Sequence, residues 1–101
     1  MCPPRFDGKN LPEWKEHMRT FIQSVHFKLW LLIKNGPNIP TKLIHNVEVE
    51  KSEDEYNGED MRNAELEAKV RHILYCALNA DARKIFSEGH KTAKQIWDEL
   101  D

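Results

Sequence analysis

His72 and Cys76 stand four positions apart, and on a helix that spacing puts an imidazole and a thiol on one face, within reach of a single metal ion. A structural zinc centre wants four ligands, and no second pair at ligand spacing accompanies them. His17, His26, His45 and His90 are scattered along the chain. The pair therefore reads as a partly buried histidine beside a packed thiol, with Cys76 a small buried residue of an apolar run. Cys2 lies 74 positions earlier, forms no C-x-x-C with it, and reads as a loose-end thiol; both are expected to be reduced in a cytosolic setting. Ser24, Ser52 and Ser87 fall at helix ends or in a loop, none of them in a G-x-S-x-G elbow. Glu48, Glu50, Glu53, Asp54 and Glu55 form a solvated acidic stretch balanced only by Lys51, not an acid/base pair in a cleft. Gly8, Gly36, Gly58 and Gly89 are isolated turn or cap residues rather than a phosphate-cradling loop. These residues give no catalytic, metal-binding or cofactor-binding set, so neither an enzyme, nor a cofactor, nor a small-molecule substrate is expected.

Nucleic acid is disfavoured by charge. Fifteen Lys and Arg against 17 Asp and Glu leave a formal net of −2, the wrong sign for a domain whose main task is gripping phosphates. Lys9, Lys15 and Arg19, and Arg83, Lys84, Lys91 and Lys94, can form small basic patches, but each has acids beside it. The three tryptophans lie in apolar stripes rather than exposed between basic residues, where a base could stack on them. A membrane is disfavoured too. The uncharged apolar runs Leu29 to Ile33 and Ile73 to Leu78 fall far short of the roughly 20 residues a span requires. With no apolar signal region behind the N-terminus, a cytoplasmic location is expected.

The elements that must position these side chains are mostly helices. At 101 residues the chain makes one domain, 1–101, with one modest core. Residues 11–25 read as an amphipathic helix with Asn10 as N-cap and Pro12 in the first turn; Leu11, Trp14, Met18, Phe21, Ile22 and Val25 mark one face, and Lys15, Glu16 and Arg19 the other. Residues 27–34 read as a second helix, apolar almost all round and hence central, stopped by Asn35-Gly36-Pro37. Residues 37–57 read as a long irregular connection with a short strand or hairpin near 43–49. The longest helix spans 58–78, started at Asn57-Gly58, with Met61, Ala64, Ala68, Leu74, Ala77 and Leu78 as its apolar stripe, joined by Val70, Ile73 and Tyr75. A short helix follows over 81–87, with Ile85 and Phe86 inward and Gly89 ending it. Thr92-Ala93-Lys94-Gln95 then matches a capping box ahead of Ile96, Trp97 and Leu100. The fold class expected is all-α, a small bundle of about five helices. Trp14, Trp30 and Trp97 are all expected in the core, with a boundary to a partner or to further sequence as the alternative for Trp97. Asp101 follows directly on that last apolar face with no terminator, which suggests a piece of a longer protein.

The segments in order carry a resemblance that none carries alone. Phe6-Asp7-Gly8-Lys9-Asn10 precedes Trp14 and Met18; Leu29-Trp30-Leu31-Leu32-Ile33-Lys34-Asn35-Gly36-Pro37 runs on into Ile39-Pro40-Thr41. Ala68 through Leu78 holds Ile73-Leu74-Tyr75-Cys76-Ala77-Leu78, and Lys91-Thr92-Ala93-Lys94-Gln95-Ile96-Trp97-Asp98-Glu99-Leu100 closes the set. Over nearly its whole length the chain resembles the Gag polypeptide of copia-type LTR retrotransposons, especially those of plants. It departs from that pattern at Leu11, where the family usually has Tyr, and at Tyr56, where it often has Trp.

The resemblance implies the N-terminal lobe of a helical capsid protein that self-associates into virus-like particles around the element's RNA. It places RNA binding mainly in a zinc knuckle outside this chain, and makes other copies of itself the partner. The residues expected to carry the fold or the family motif are Phe6, Gly8, Trp14, Met18, Phe21, Trp30, Gly36, Pro37, Leu74, Leu78, Thr92, Trp97 and Leu100. The turn at 37–41 and the acidic stretch 48–55 are the candidate contact loops. The alternative is a Gag-derived module adopted by a host to bind another protein.

Overall fold

The computed structural model describes residues 2–100. Four α-helices, α1 (Leu11–Val25), α2 (Phe27–Asn35), α3 (Gly58–Ala77) and α4 (Ala93–Glu99), are joined by one β-hairpin and two short 3-10 helices, Glu53–Glu55 and Ala82–Ser87. The fold is thus a small, mostly helical bundle. Helix α2 is its hub and packs on α1, α3 and α4. Met18 and Ile22 of α1, Leu29 and Ile33 of α2, Val70 and Leu74 of α3, then Leu78, and Ile96 of α4 are the large side chains wholly removed from solvent.

The helix ends follow their sequence signals with one exception. The Asn57 side chain accepts the Asp60 N–H while Asp60 reaches back to the Asn57 N–H, a reciprocal cap at the start of α3. Thr92 and Gln95 make the same exchange at α4. Asn10 does precede α1, but its side chain caps nothing; it sits in a left-handed conformation and its amide donates to the Glu13 carboxylate instead. Asn79, read only as a break, accepts the Ala82 N–H and starts the second 3-10 helix. That helix, expected as a short α-helix over 81–87, is a 3-10 helix over Ala82–Ser87.

Three expectations about burial need correction. Helix α2 is central, yet it is not apolar all round in its surroundings: Phe27 and Leu31 stay exposed. The first half of α3 extends past the core, so Met61, Ala64 and Ala68 face solvent, and the buried stripe begins only at Val70. Cys76 is exposed, as is Tyr75, because the inward face of α3 near its end is taken by Leu74, Ala77 and Leu78.

The segment 37–57, expected as an irregular connection, is instead organised. Strands β1 (Thr41–Ile44) and β2 (Val47–Glu50) pair antiparallel, with Thr41 opposite Glu50 and Ile44 opposite Val47. They widen the hairpin expected near 43–49. The turn residues His45 and Asn46 have φ of +51° and +64°, the left-handed pair that a two-residue hairpin turn needs to follow strand twist. Its strands pack chiefly on each other, and the molecule is long for its size, 51 × 28 × 19 Å. Two ion pairs tie the hairpin down: Lys42 to Glu55, and Lys51 to Asp60 at 2.8 Å. The Lys42 ammonium and then the Ser52 N–H hold the Glu55 carboxyl at about 2, against an ordinary 4.5. Lys51, followed by the Asn57 N–H, lowers Asp60 as well.

Both carboxyls are depressed on folding. Their stabilising contribution is therefore complete above the ordinary carboxylate range and is lost as pH falls towards 2. The protection factors of the β1 and β2 amides, taken against the intrinsic exchange rate at each pH, are expected to fall between about pH 4.5 and pH 2 ahead of those of α2 and α3. A Glu55→Gln/Asp60→Asn variant should lack that acid step; an unchanged step in the variant would show that other groups hold the hairpin.

Candidate functional site

The tryptophans are where distant parts of the sequence meet. Phe6 lies 5.2 Å from Trp14, Trp14 5.9 Å from Trp97, and Trp97 5.9 Å edge-on from Trp30, ring centroid to centroid. Four segments, the N-terminal stretch before α1, α1 itself, α2 and α4, are joined by this chain of rings. Trp14 is buried and its indole N–H donates to the Pro4 carbonyl at 3.0 Å; Trp30 and Trp97 are half-buried against the core. Both were expected deeper. The outer side of Trp30 is covered not by apolar residues but by the Arg19 guanidinium, 5.9 Å above the ring.

The opening motif acquires a physical meaning. Asp7 accepts the Lys9 N–H at 2.9 Å, Gly8 has φ +90°, and Asn10 is left-handed, so Phe6-Asp7-Gly8-Lys9-Asn10 is a tight reversal that swings Phe6 back onto Trp14. The Phe6 N–H then donates to the Ala77 carbonyl at 2.8 Å, satisfying a free acceptor in the last turn of α3. A Cβ on Gly8 would stand 3.1 Å from the Asn79 amide nitrogen. Gly36, with φ +83°, ends α2 and brings the chain past the Lys94 side chain. Met18, Leu74 and Leu78 are fully buried, and Phe21 and Leu100 pack on the core from its margin. Thr92 caps α4, and Pro37 lines the groove described below.

Cationic side chains complete the cluster, and these the sequence did not reveal. Lys15, assigned from the helical wheel to the solvent side, donates to the Trp97 carbonyl at 2.9 Å and lies 4.7 Å from the Trp97 ring centre. Arg83 covers Tyr75 and donates to the Tyr75 carbonyl. Long basic side chains lie along apolar surface with their charged ends outward, so a wheel that sorts residues only by polarity puts them on the wrong side. Lys15 and Arg19 cover rings 82 and 11 positions away, so no local signal announced these contacts. Lys91 sits between Glu99 and Glu88, which raise its pKa in that order, and Lys94 pairs with Asp98. The basic patches of the sequence are thus largely engaged.

The possible chemistry is sparse. His72 Nε2 and Cys76 Sγ do approach, at 3.5 Å, but both residues are exposed, which corrects the buried reading. Among the described residues no three His, Cys, Asp or Glu side chains gather where they can hold a metal ion. No described helix is long and apolar enough to cross a membrane. Three open grooves of about 340, 390 and 460 Å³ mark the surface. The largest runs between Pro37–Pro40 and α3. Beside it Asn63 Oδ1, Glu67 Oε2 and Arg71 Nε are buried with no hydrogen-bond partner among the described residues. No protein-family model matches this chain, and no curated protein or solved structure is significantly similar to it.

Trp14→Ala is expected to lower stability by about 3–5 kcal/mol, and Trp14→Phe, which keeps most of the ring but loses the bond to Pro4, by about 1–2 kcal/mol. Urea unfolding measures both; a loss below about 1 kcal/mol for alanine would remove Trp14 from the centre of this account. Gly8→Ala is expected to cost about 1–2 kcal/mol in the same assay through its positive φ. Gly58→Ala, where an added Cβ meets nothing within 4 Å, should cost nothing.

Proposed function

We propose that this chain is a capsid-type structural domain, similar to the N-terminal lobe of a copia-type Gag polypeptide, which associates with copies of itself to build a particle in the cytoplasm. RNA is then held mainly by regions outside the chain. The observation that carries this reading is the convergence of the family-like residues. Phe6, Gly8, Trp14, Trp30 and Trp97, spread across the sequence, serve one aromatic junction instead of lining a cleft. A motif set spent on folding leaves the outer faces to act, and those faces carry Phe27, Leu31, Ile39, Leu43, Val47 and Met61 in exposed positions. Contacts between such rigid faces can each be weak, and repetition makes weak contacts sufficient for a shell. The groove along α3, with its three unpartnered polar atoms, favours a second reading in which a host uses the domain to hold a segment of another protein.

Light scattering from micromolar to millimolar chain separates these readings. Self-association predicts a weight-average mass that climbs steadily above 11.9 kDa with concentration. A mass fixed at the monomer value throughout that range would contradict it and favour the second reading.

A further inference from the structure

If copies of this chain associate, two of its surfaces are suited to each other and not to themselves. The first is the outer face of the hairpin. The strand register puts Thr41, Leu43, Glu48 and Glu50 on one face. Leu43 is the most exposed large apolar residue of the described chain, at 72%, and two carboxylates flank it. Among the described residues neither Glu48 nor Glu50 makes an ion pair; Glu48 accepts only the Thr41 hydroxyl, at 2.7 Å. The lysines nearest in sequence, Lys42 and Lys51, are already taken by Glu55 and Asp60. The hairpin thus presents an uncovered leucine in a negative setting. A two-stranded sheet standing largely by itself is marginal in water, so a surface that covers it also stabilises it.

The second surface has the opposite character. Two adjoining hollows, of about 390 and 340 Å³, share Lys28 and run between α2 and the projecting first half of α3. Leu31, 39% exposed, and the partly buried Leu66 give them an apolar floor. Lys28, Arg62 and Lys69 line the same hollows and make no ion pair among the described residues, against the single acid Glu65. The chain's own hairpin does not fill them: no residue of 41–50 lines either hollow, and the two ion pairs at its base hold it to Glu55 and Asp60.

We propose that the acidic outer face of the hairpin of one copy seats in the basic groove between α2 and α3 of the next, Leu43 over Leu31 and Leu66 and Glu48 and Glu50 towards Lys28, Arg62 and Lys69. This inference rests on the self-association reading and specifies its geometry. Two hairpins repel each other, as do two grooves, so the charges select contacts between unlike surfaces, which either close reciprocally in a two-fold pair or run head to tail. Head-to-tail contacts between unlike surfaces propagate into rings or open arrays rather than stopping at a dimer. A face of two four-residue strands buries less than the roughly 1,200 Å² of a stable pair, so each contact is weak and depends on repetition.

Charge exchange tests this in the 101-residue chain. Glu48→Lys/Glu50→Lys and Lys28→Glu/Lys69→Glu change exposed side chains only, and far-UV circular dichroism checks that each variant folds. Sedimentation is expected to show association weakened about tenfold or more in either variant alone, and restored when the two are mixed. Leu43→Ser leaves the charges alone and should weaken association as well, which covers a disturbed hairpin in the lysine variant. Rising salt should weaken the wild-type contact. Variants that associate as well as the wild type, or a mixture that stays monomeric, would overturn the hairpin-in-groove contact while leaving self-association through another surface intact. A wild-type chain that stays monomeric throughout would overturn the self-association reading, and this contact with it.

Discussion

The chain of ring contacts from Phe6 through Trp14 and Trp97 to Trp30 is the constraint on which the rest of the molecule depends. A chain of this length has room for one core, and short helices are not stable by themselves in water. Helix α4 has seven residues and α2 has nine, so neither persists without tertiary support. Each contributes a tryptophan to the ring chain, and each tryptophan touches a ring from another segment. Aromatic pairs in offset or edge-on geometry add about 0.5–1.5 kcal/mol beyond the area they bury. Here one edge-on and two tilted contacts in series join segments that are remote in sequence.

The lysines and arginines over these rings do more than solubilise the domain. Lys15 bridges α1 to the backbone of α4 while covering the Trp97 face, and Arg19 closes the outer side of Trp30. Half-exposed tryptophans are thereby shielded without a second apolar layer that the chain is too short to supply. The remaining charge is unevenly placed. Acids gather on the hairpin and unpaired bases along α2 and α3, and the near-zero net charge conceals this polarity.

Much of the fold was readable because local signals agreed with the final packing. The helical stripe at Trp14, Met18 and Ile22, the stop at Gly36-Pro37 and the capping box at Thr92 each act within a few residues and need no knowledge of the partner. The misreadings came from long-range causes. Met61, Ala64 and Ala68 repeat with helical period, yet nothing in the sequence says that α3 outruns the core it packs on. Cys76 lies in an apolar run, but its exposure was decided by which arc of α3 meets α2 and α4. The hairpin was half-visible: its alternating residues were apparent, whereas the His45-Asn46 turn lacks the glycine that usually announces one. The surfaces of interest were the least legible, since the basic groove is assembled from α2 and α3, which the whole hairpin segment separates in sequence.

The most direct measurement is a nuclear Overhauser spectrum of the aromatic protons of the folded chain. The account predicts cross-peaks linking the Phe6 and Trp14 rings, the Trp14 and Trp97 indoles, and the Trp97 and Trp30 indoles. Strong helical signals without any cross-peak between Trp97 and the other two tryptophans would contradict it, because α4 would then be held to the bundle by something else.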